Sequence, residues 1–135
     1  MQVSGQCLCG AVRYRGEADP KFQVKCYCTD CRRSSAAGHA AMMGFAAEAI
    51  EVIGEVKEFH CKADSGSDVC RAFCPTCGSG LYARNAAMPQ LIFLRASTLD
   101  DPSLFAPQLV VWAARAPAWD RVPQGLPTFA ERPTG

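Results

Sequence analysis

Three cysteines fall within the six residues from Cys26 to Cys31 in the stretch CYCTDCRR, and Arg32 and Arg33 follow at once. Thiolates grouped this tightly suit a borderline-soft metal such as zinc. Three protein ligands with one position open is the pattern of a catalytic zinc, with water, a thiol or a carbonyl oxygen completing the shell. Zinc held that way acts as a Lewis acid or lowers the pKa of a bound thiol or water. Arg32 and Arg33 could steady the added negative charge or meet an anionic substrate group bidentately. Cys26, Cys28, Cys31 and Arg32 are therefore the candidate catalytic residues. A fourth ligand from His39, His60, Cys61 or Cys70 would instead close the shell and make the site structural.

Two further motifs carry metal-ligand spacing. CPTCG (74–78) sets two thiolates in a tight turn, with Pro75 presetting the turn and Gly78 permitting backbone N–H groups to face the sulfurs. A redox pair of the C-x-x-C kind belongs beside a βαβ pattern, which this sequence lacks. CLCG (7–10) places two cysteines on one face of a strand, but roughly 6.5–7 Å apart at Cα in a flat strand, too far for one metal. A bend at Gly10 would bring them together. Cys7, Cys9, Cys74 and Cys77 then form a four-thiolate set from two distant segments. A structural zinc there would tie the N-terminal strand to the second half of the chain and add its binding free energy to folding.

The chain has 135 residues, 49% of them apolar and 20% charged, an ordinary globular balance for one domain over 1–135. Its nine cysteines are an odd number, and MQVSGQCLCGAVRYR shows no apolar export segment. Reduced thiols and a cytoplasmic location follow as expectations, with metal rather than disulfides explaining the clustering. No apolar run approaches the ~20 residues of a membrane span. The formal charge of +1 gives no electrostatic case for nucleic acid. The expected partner is a small molecule, with neither nucleic acid nor membrane involved.

The elements that must position these cysteines read as short strands. AVRYRGEA (11–18), KFQVKC (21–26), HAAMMGFAA (39–47), the two runs within 50–61 split by Gly54, DVCRAF (68–73), SGLYAR (79–84), LIFLRAS (91–97) and QLVVWAA (108–114) carry strand patterning. Gly44 inside its run suggests a bulge or bend. TDCRRSSA is the one short-helix candidate, with Thr29 or Asp30 as N-cap. The proline-rich tail 116–135 reads as an extended cover with little regular structure. The fold class is all-β with little helix. Cys61 and Cys70 flank the turn-rich KADSGSDV and could face each other across a hairpin, although two unreactive strand thiols is the plainer reading. Tyr27, between two triad cysteines, could line the site with its ring.

CLCGAVRY, CYCTDCRRSSAAG and RAFCPTCGSGLY, in that order and spacing, together with LDDPSLFAPQLVVWAARAPAWDRV and the later GLPTF, resemble the glutathione-dependent formaldehyde-activating enzyme family, which also contains the centromere protein V group. The resemblance runs from Gly5 to about Phe129. It implies an Mss4-like fold of zinc-held β-sheets and two zinc positions, Cys7, Cys9, Cys74 and Cys77 for the structural one and Cys26, Cys28 and Cys31 for the catalytic one. It implies the joining of glutathione to formaldehyde to give S-hydroxymethylglutathione, and the reverse cleavage of the carbon–sulfur bond. Relatives often carry His where this chain has Tyr27, so no proton-transferring His stands between the first two triad cysteines.

Two other functions fit the cysteines. A non-catalytic zinc module engaging a protein partner predicts a closed or empty second site and an exposed apolar patch. A metal or redox sensor would use Cys61 and Cys70 as an accessible switch pair.

Overall fold

The hydrophobic alternation resolves into ten strands and one short helix in the computed structural model, which describes residues 1–133. A three-stranded antiparallel sheet holds β1 (Gln2–Gln6), β2 (Arg13–Glu17) and β5 (Ile50–Ile53), in the order β1-β2-β5. A seven-stranded sheet runs in the order β10-β3-β4-β9-β8-β7-β6. Its members are β3 (Phe22–Cys26), β4 (Ala40–Ala46), β6 (Lys57–Lys62), β7 (Asp68–Phe73), β8 (Gly80–Asn85), β9 (Leu91–Arg95) and β10 (Leu109–Val111). All of its pairings are antiparallel except that of β10 with β3. The architecture is all-β, consistent with the Mss4-like arrangement that the family resemblance implies.

Strand parity divides the large sheet into two working faces. Met43 and Phe45 of β4 and Ile92 and Leu94 of β9 point toward the small sheet and pack with Val3, Val12, Tyr14 and Ile50 in the main core. The buried Tyr14 hydroxyl lies 2.8 Å from Thr98 Oγ1, and that hydroxyl itself donates to the Arg95 carbonyl at 2.8 Å. Tyr14 is therefore the donor of the pair, and no polar atom is stranded at this point in the core. The opposite face carries Phe22, Val24 and Cys26 of β3, whose cross-strand neighbours are Gly44, Met42 and Ala40. Val24, Cys26, Ala40 and Val111 there form a second, smaller apolar cluster with Cys31.

Several local readings change on this frame. Gly44 makes no bulge. It stays in register between Phe22 and Phe93, and a Cβ there would strike the Phe22 ring. Its bareness lets the two rings meet with centroids 5.3 Å apart. Gly54, at φ +105°, separates strands that belong to different sheets, β5 to the small one and β6 to the edge of the large one. β1 precedes the first strand-like run, because Val3 and Gly5 are its only inward positions. α1 (Thr29–Ser35) is capped neither by Thr29 nor by Asp30: the Cys28 sulfur accepts from the Cys31 backbone N–H at 3.2 Å.

The tail pairs with the edge of the large sheet at β10. The backbone N–H of Val110 donates to the Pro127 carbonyl at 2.9 Å, and that of Phe129 donates back to Val110 at 2.9 Å. Trp112 N–H reaches Glu131 at 2.8 Å, so the tail around Thr128 runs parallel to β10. The last two positions of the proline-rich tail, 134–135, lie outside the described residues.

Candidate functional site

The bend expected in CLCG is present. Cys7 and Cys9 sit in the turn between β1 and β2, where Gly10 takes φ +79° and the Cys7 backbone N–H donates to Val12 at 3.0 Å. The second pair sits in the turn after β7, closed by Gly78 N–H donating to the Cys74 carbonyl at 2.9 Å with Gly78 also at φ +79°. The sulfurs of Cys7, Cys9, Cys74 and Cys77 all lie within 4.8 Å of one another. Cys7 to Cys9 is 3.7 Å and Cys9 to Cys74 is 3.8 Å. A tetrahedron of sulfurs around zinc at ~2.3 Å has edges of about 3.8 Å, so these thiols already stand at ligand spacing. Backbone N–H groups support them: Val12 donates to Cys7 Sγ at 3.3 Å, and Thr76 and Cys77 donate to Cys74 Sγ at 3.4 and 3.5 Å.

The protonation pattern fits the same use. Ser79, whose hydroxyl lies 3.2 Å from the sulfur, holds the Cys77 thiol down at about 5, and the backbone N–H groups of Ser79 and Cys9 add to this. Sulfurs packed this closely compete for the few protons that relieve their repulsion, and a divalent cation removes the competition by taking all of them as thiolates.

The triad is built differently. Cys26 ends β3, Cys28 caps α1, and Cys31 comes one helical turn later, which brings the three sulfurs within 4.8 Å of one another. Hydrogen bonds from Cys26 and then Cys31 hold Cys28 down at about 2, with the Cys31 backbone N–H and the Arg71 charge helping. Cys26 is pushed far up by Cys28, then by Cys31 and burial. One thiolate stabilised by two neighbouring thiols is a half-shell for a cation. Both groups fit a metal by donor type and spacing. Neither geometry by itself singles out zinc.

The candidates for a fourth triad ligand are engaged elsewhere. His39 Nδ1 lies 2.6 Å from Asp120 Oδ2. Cys61 Sγ accepts from Arg71 Nη1 at 3.1 Å. His60 and Cys70 group instead with Glu58, and His60 Nε2 lies 3.1 Å from Glu58 Oε2 as an exposed pair at the sheet edge. Among the described residues no fourth Cys, His, Asp or Glu joins the triad at ligand spacing. The triad opens instead into a cavity of about 610 Å³ on the outer face of the large sheet. Phe22, Val24, Met42, Phe93, Leu109 and Trp112 give it apolar walls, and Arg71, Arg84, Arg95 and Arg132 reach it.

The glutathione-dependent formaldehyde-activating enzyme family matches residues 2–115 of this chain. The chain belongs to that family. A Halomonas elongata protein that carries the same family name is 30% identical over 105 residues, which span 74% of this chain and 67% of that protein. A crystal structure of a Rhodobacter sphaeroides protein superimposes with a TM-score of 0.58 at 22% identity, covering 72% of this chain and 87% of that one. That likeness concerns the fold.

Within this family member the seven cysteines fall into the two groups that spacing suggests, each able to hold a metal ion. Other expected residues do not reach the site. Arg32 and Arg33 are not among the residues lining the cavity. They follow Cys31 by one and two helical steps of about 100° each, which turns them off the face that carries the sulfur. Tyr27 does not line the cavity either. It is fully buried on the other side of β3's end, its hydroxyl donating to the Arg121 carbonyl at 3.2 Å and its ring resting on His39. The residue after a cavity-facing strand position points to the opposite face. Cys61 and Cys70 do not face each other: Cys61 is opposite Val69 and Cys70 opposite His60, one step out of register and on opposite faces. They make no switch pair.

The residues that sequence reasoning missed are Arg71 and Arg95. Arg95 is opposite Met42, which is opposite Val24, and Arg71 is opposite Ala83, which is opposite Phe93. Parity therefore puts both on the Cys26 face. Arg95 is only 7% exposed, at the end of the apolar run LIFLR. A cation closing a buried strand is a usable signal of function, because burying an unpaired charge is costly.

Proposed function

We propose that the triad cavity catalyses formation and cleavage of the carbon–sulfur bond of a small thiol adduct, with glutathione and formaldehyde as the family's named pair. Cys7, Cys9, Cys74 and Cys77 hold a structural zinc in this reading, and Cys26, Cys28 and Cys31 hold the zinc of the reaction centre. The observation that carries it is the open half-shell: three sulfurs at ligand spacing, no fourth side chain, and a cavity at the open side. A zinc ion there supplies Lewis acidity and favours the thiolate form of a thiol.

In the forward direction the thiol sulfur bonds to the aldehyde carbon, the carbonyl π pair moves to oxygen, and the thiol's proton ends on that oxygen. The reverse returns the proton to sulfur as the carbon–sulfur bond breaks. The chain's own residues bind and orient. Apolar walls exclude water from the reacting carbon. Arg71 and Arg95 stabilise negative charge at sulfur and oxygen. Arg32, on the helix surface, is not part of that wall, so anion contact passes to the strand arginines.

The test is an exchange measurement by carbon NMR with labelled formaldehyde and several thiols. Zinc-loaded protein is expected to speed adduct exchange over the spontaneous rate, and Cys28→Ser to return it to that rate. Identical rates with and without protein for every thiol would reject the proposal.

A further inference from the structure

The cavity is larger and more apolar than a one-carbon aldehyde on a hydrophilic tripeptide requires. Formaldehyde needs only the space at the sulfurs. Beyond them lies a continuous apolar wall from β3, β4, β9 and β10, with the Phe22 and Phe93 rings meeting across Gly44 and Trp112 at the edge. Glutathione has no group that such a wall prefers over water.

The same chamber holds buried cationic donors without partners. Arg95 Nη2 donates to Ser34 Oγ at 2.9 Å, while its Nη1 is buried with no hydrogen-bond partner. Arg71 spends Nη1 on the Cys61 sulfur, and its Nε is buried and unpartnered as well. Native proteins rarely leave such groups unsatisfied outside functional sites. Charge points the same way. Three thiolates around a divalent ion leave one negative charge, and Arg71 and Arg95 bring two positive ones. Of the two carboxylates that line the cavity, Asp64 is already paired with Arg115. Arg132 adds further positive charge to the wall.

We infer that this site takes an amphiphilic thiol or its adduct, an apolar organic chain bearing a carboxylate, with the chain against the Phe22–Phe93 wall and the carboxylate on Arg71 and Arg95. The inference rests on the proposed function only in placing the ligand's sulfur at the triad. The apolar chamber and the guanidiniums stand without it.

Binding by calorimetry to the zinc-loaded full chain tests it. The probes are 3-mercaptopropanoate, 6-mercaptohexanoate, 8-mercaptooctanoate, neutral 6-mercaptohexanol, glutathione and sulfur-free octanoate. Affinity is expected to rise about two- to fourfold per methylene along the mercaptocarboxylates. Mercaptohexanol should bind about tenfold more weakly than mercaptohexanoate, and Arg71→Gln should narrow that difference to about threefold, weakening mercaptohexanoate more than mercaptohexanol. A melting curve shows whether Arg71→Gln is folded, and Arg95→Gln serves as the second variant if it is not. If glutathione and mercaptopropanoate bind and chain length adds nothing, the inference is overturned and the thiol reading stands. If octanoate binds as well as mercaptooctanoate, and equally well to Cys28→Ser, the chamber is real and the thiol reading falls. If none of the probes binds, both fall.

Discussion

Cys9 and Cys74 are 65 residues apart in the chain and meet at 3.8 Å, whereas Cys26, Cys28 and Cys31 come from one strand end and one helical turn. The first group joins the small sheet to the turn after β7, and Cys7 and Cys74 belong to the main core. The second group joins nothing distant. Its sulfurs sit in the minor cluster, on the face where the large sheet has no second sheet to pack against. A metal in the first position closes a long loop and stabilises the fold. A metal in the second closes only a short one, and its free coordination place faces a cavity. In the proposed function the sheet's two faces separate stability from chemistry, and parity along β3, β4 and β9 sets which side chain faces which side.

The largest expected effect lies in the first group. Cys74→Ser should leave the chain unfolded or molten by circular dichroism and NMR, since a structural zinc supplies on the order of 10 kcal/mol of apparent folding free energy. Cys28→Ser should fold, with a melting temperature within several degrees of the parent. Equal destabilisation by the two would erase the contrast. Packing gives the next largest effect. Phe45→Ala, on the core face and fully buried, should cost about 3–5 kcal/mol in chemical denaturation. Phe22→Ala, on the cavity face, should cost clearly less and should instead weaken ligand binding.

Metal removal sharpens the comparison further. Under a graded chelator one equivalent of metal should leave first with the fold retained, and the second should leave together with the loss of near-ultraviolet ellipticity. Simultaneous loss would mean the two groups are not independent. The smallest effect is expected beside the triad, at Tyr27→Phe. Losing the hydroxyl's hydrogen bond to the Arg121 carbonyl should cost about 1 kcal/mol by denaturation and leave ligand affinity unchanged. A change in affinity would place Tyr27 in the site after all.

The cysteine groups were legible in the sequence because ligand spacing is a local property: C-x-x-C and C-x-C-x-x-C each fix their geometry within one turn. The bend at Gly10 was legible for the same reason. What depended on register was not. Cys61 and Cys70 look symmetric about their turn, and only the pairing of His60 with Cys70 shows them on opposite faces. Gly54 marks a break, but no local signal says that β5 and β6 enter different sheets. Arg32 and Arg33 drew attention by adjacency, while Arg71 and Arg95 are 40 or more positions from Cys31 and arrive by cross-strand pairing. Tyr27 failed as a site residue through parity alone.

The most direct measurement is metal content by elemental analysis combined with zinc X-ray absorption, on the parent and on Cys28→Ser. The account predicts two zincs per parent chain with a mean of about 3.5 sulfurs each, and one zinc with about four sulfurs in the variant. Two zincs retained in folded Cys28→Ser, or a parent average of four sulfurs per zinc, would contradict an open three-cysteine centre.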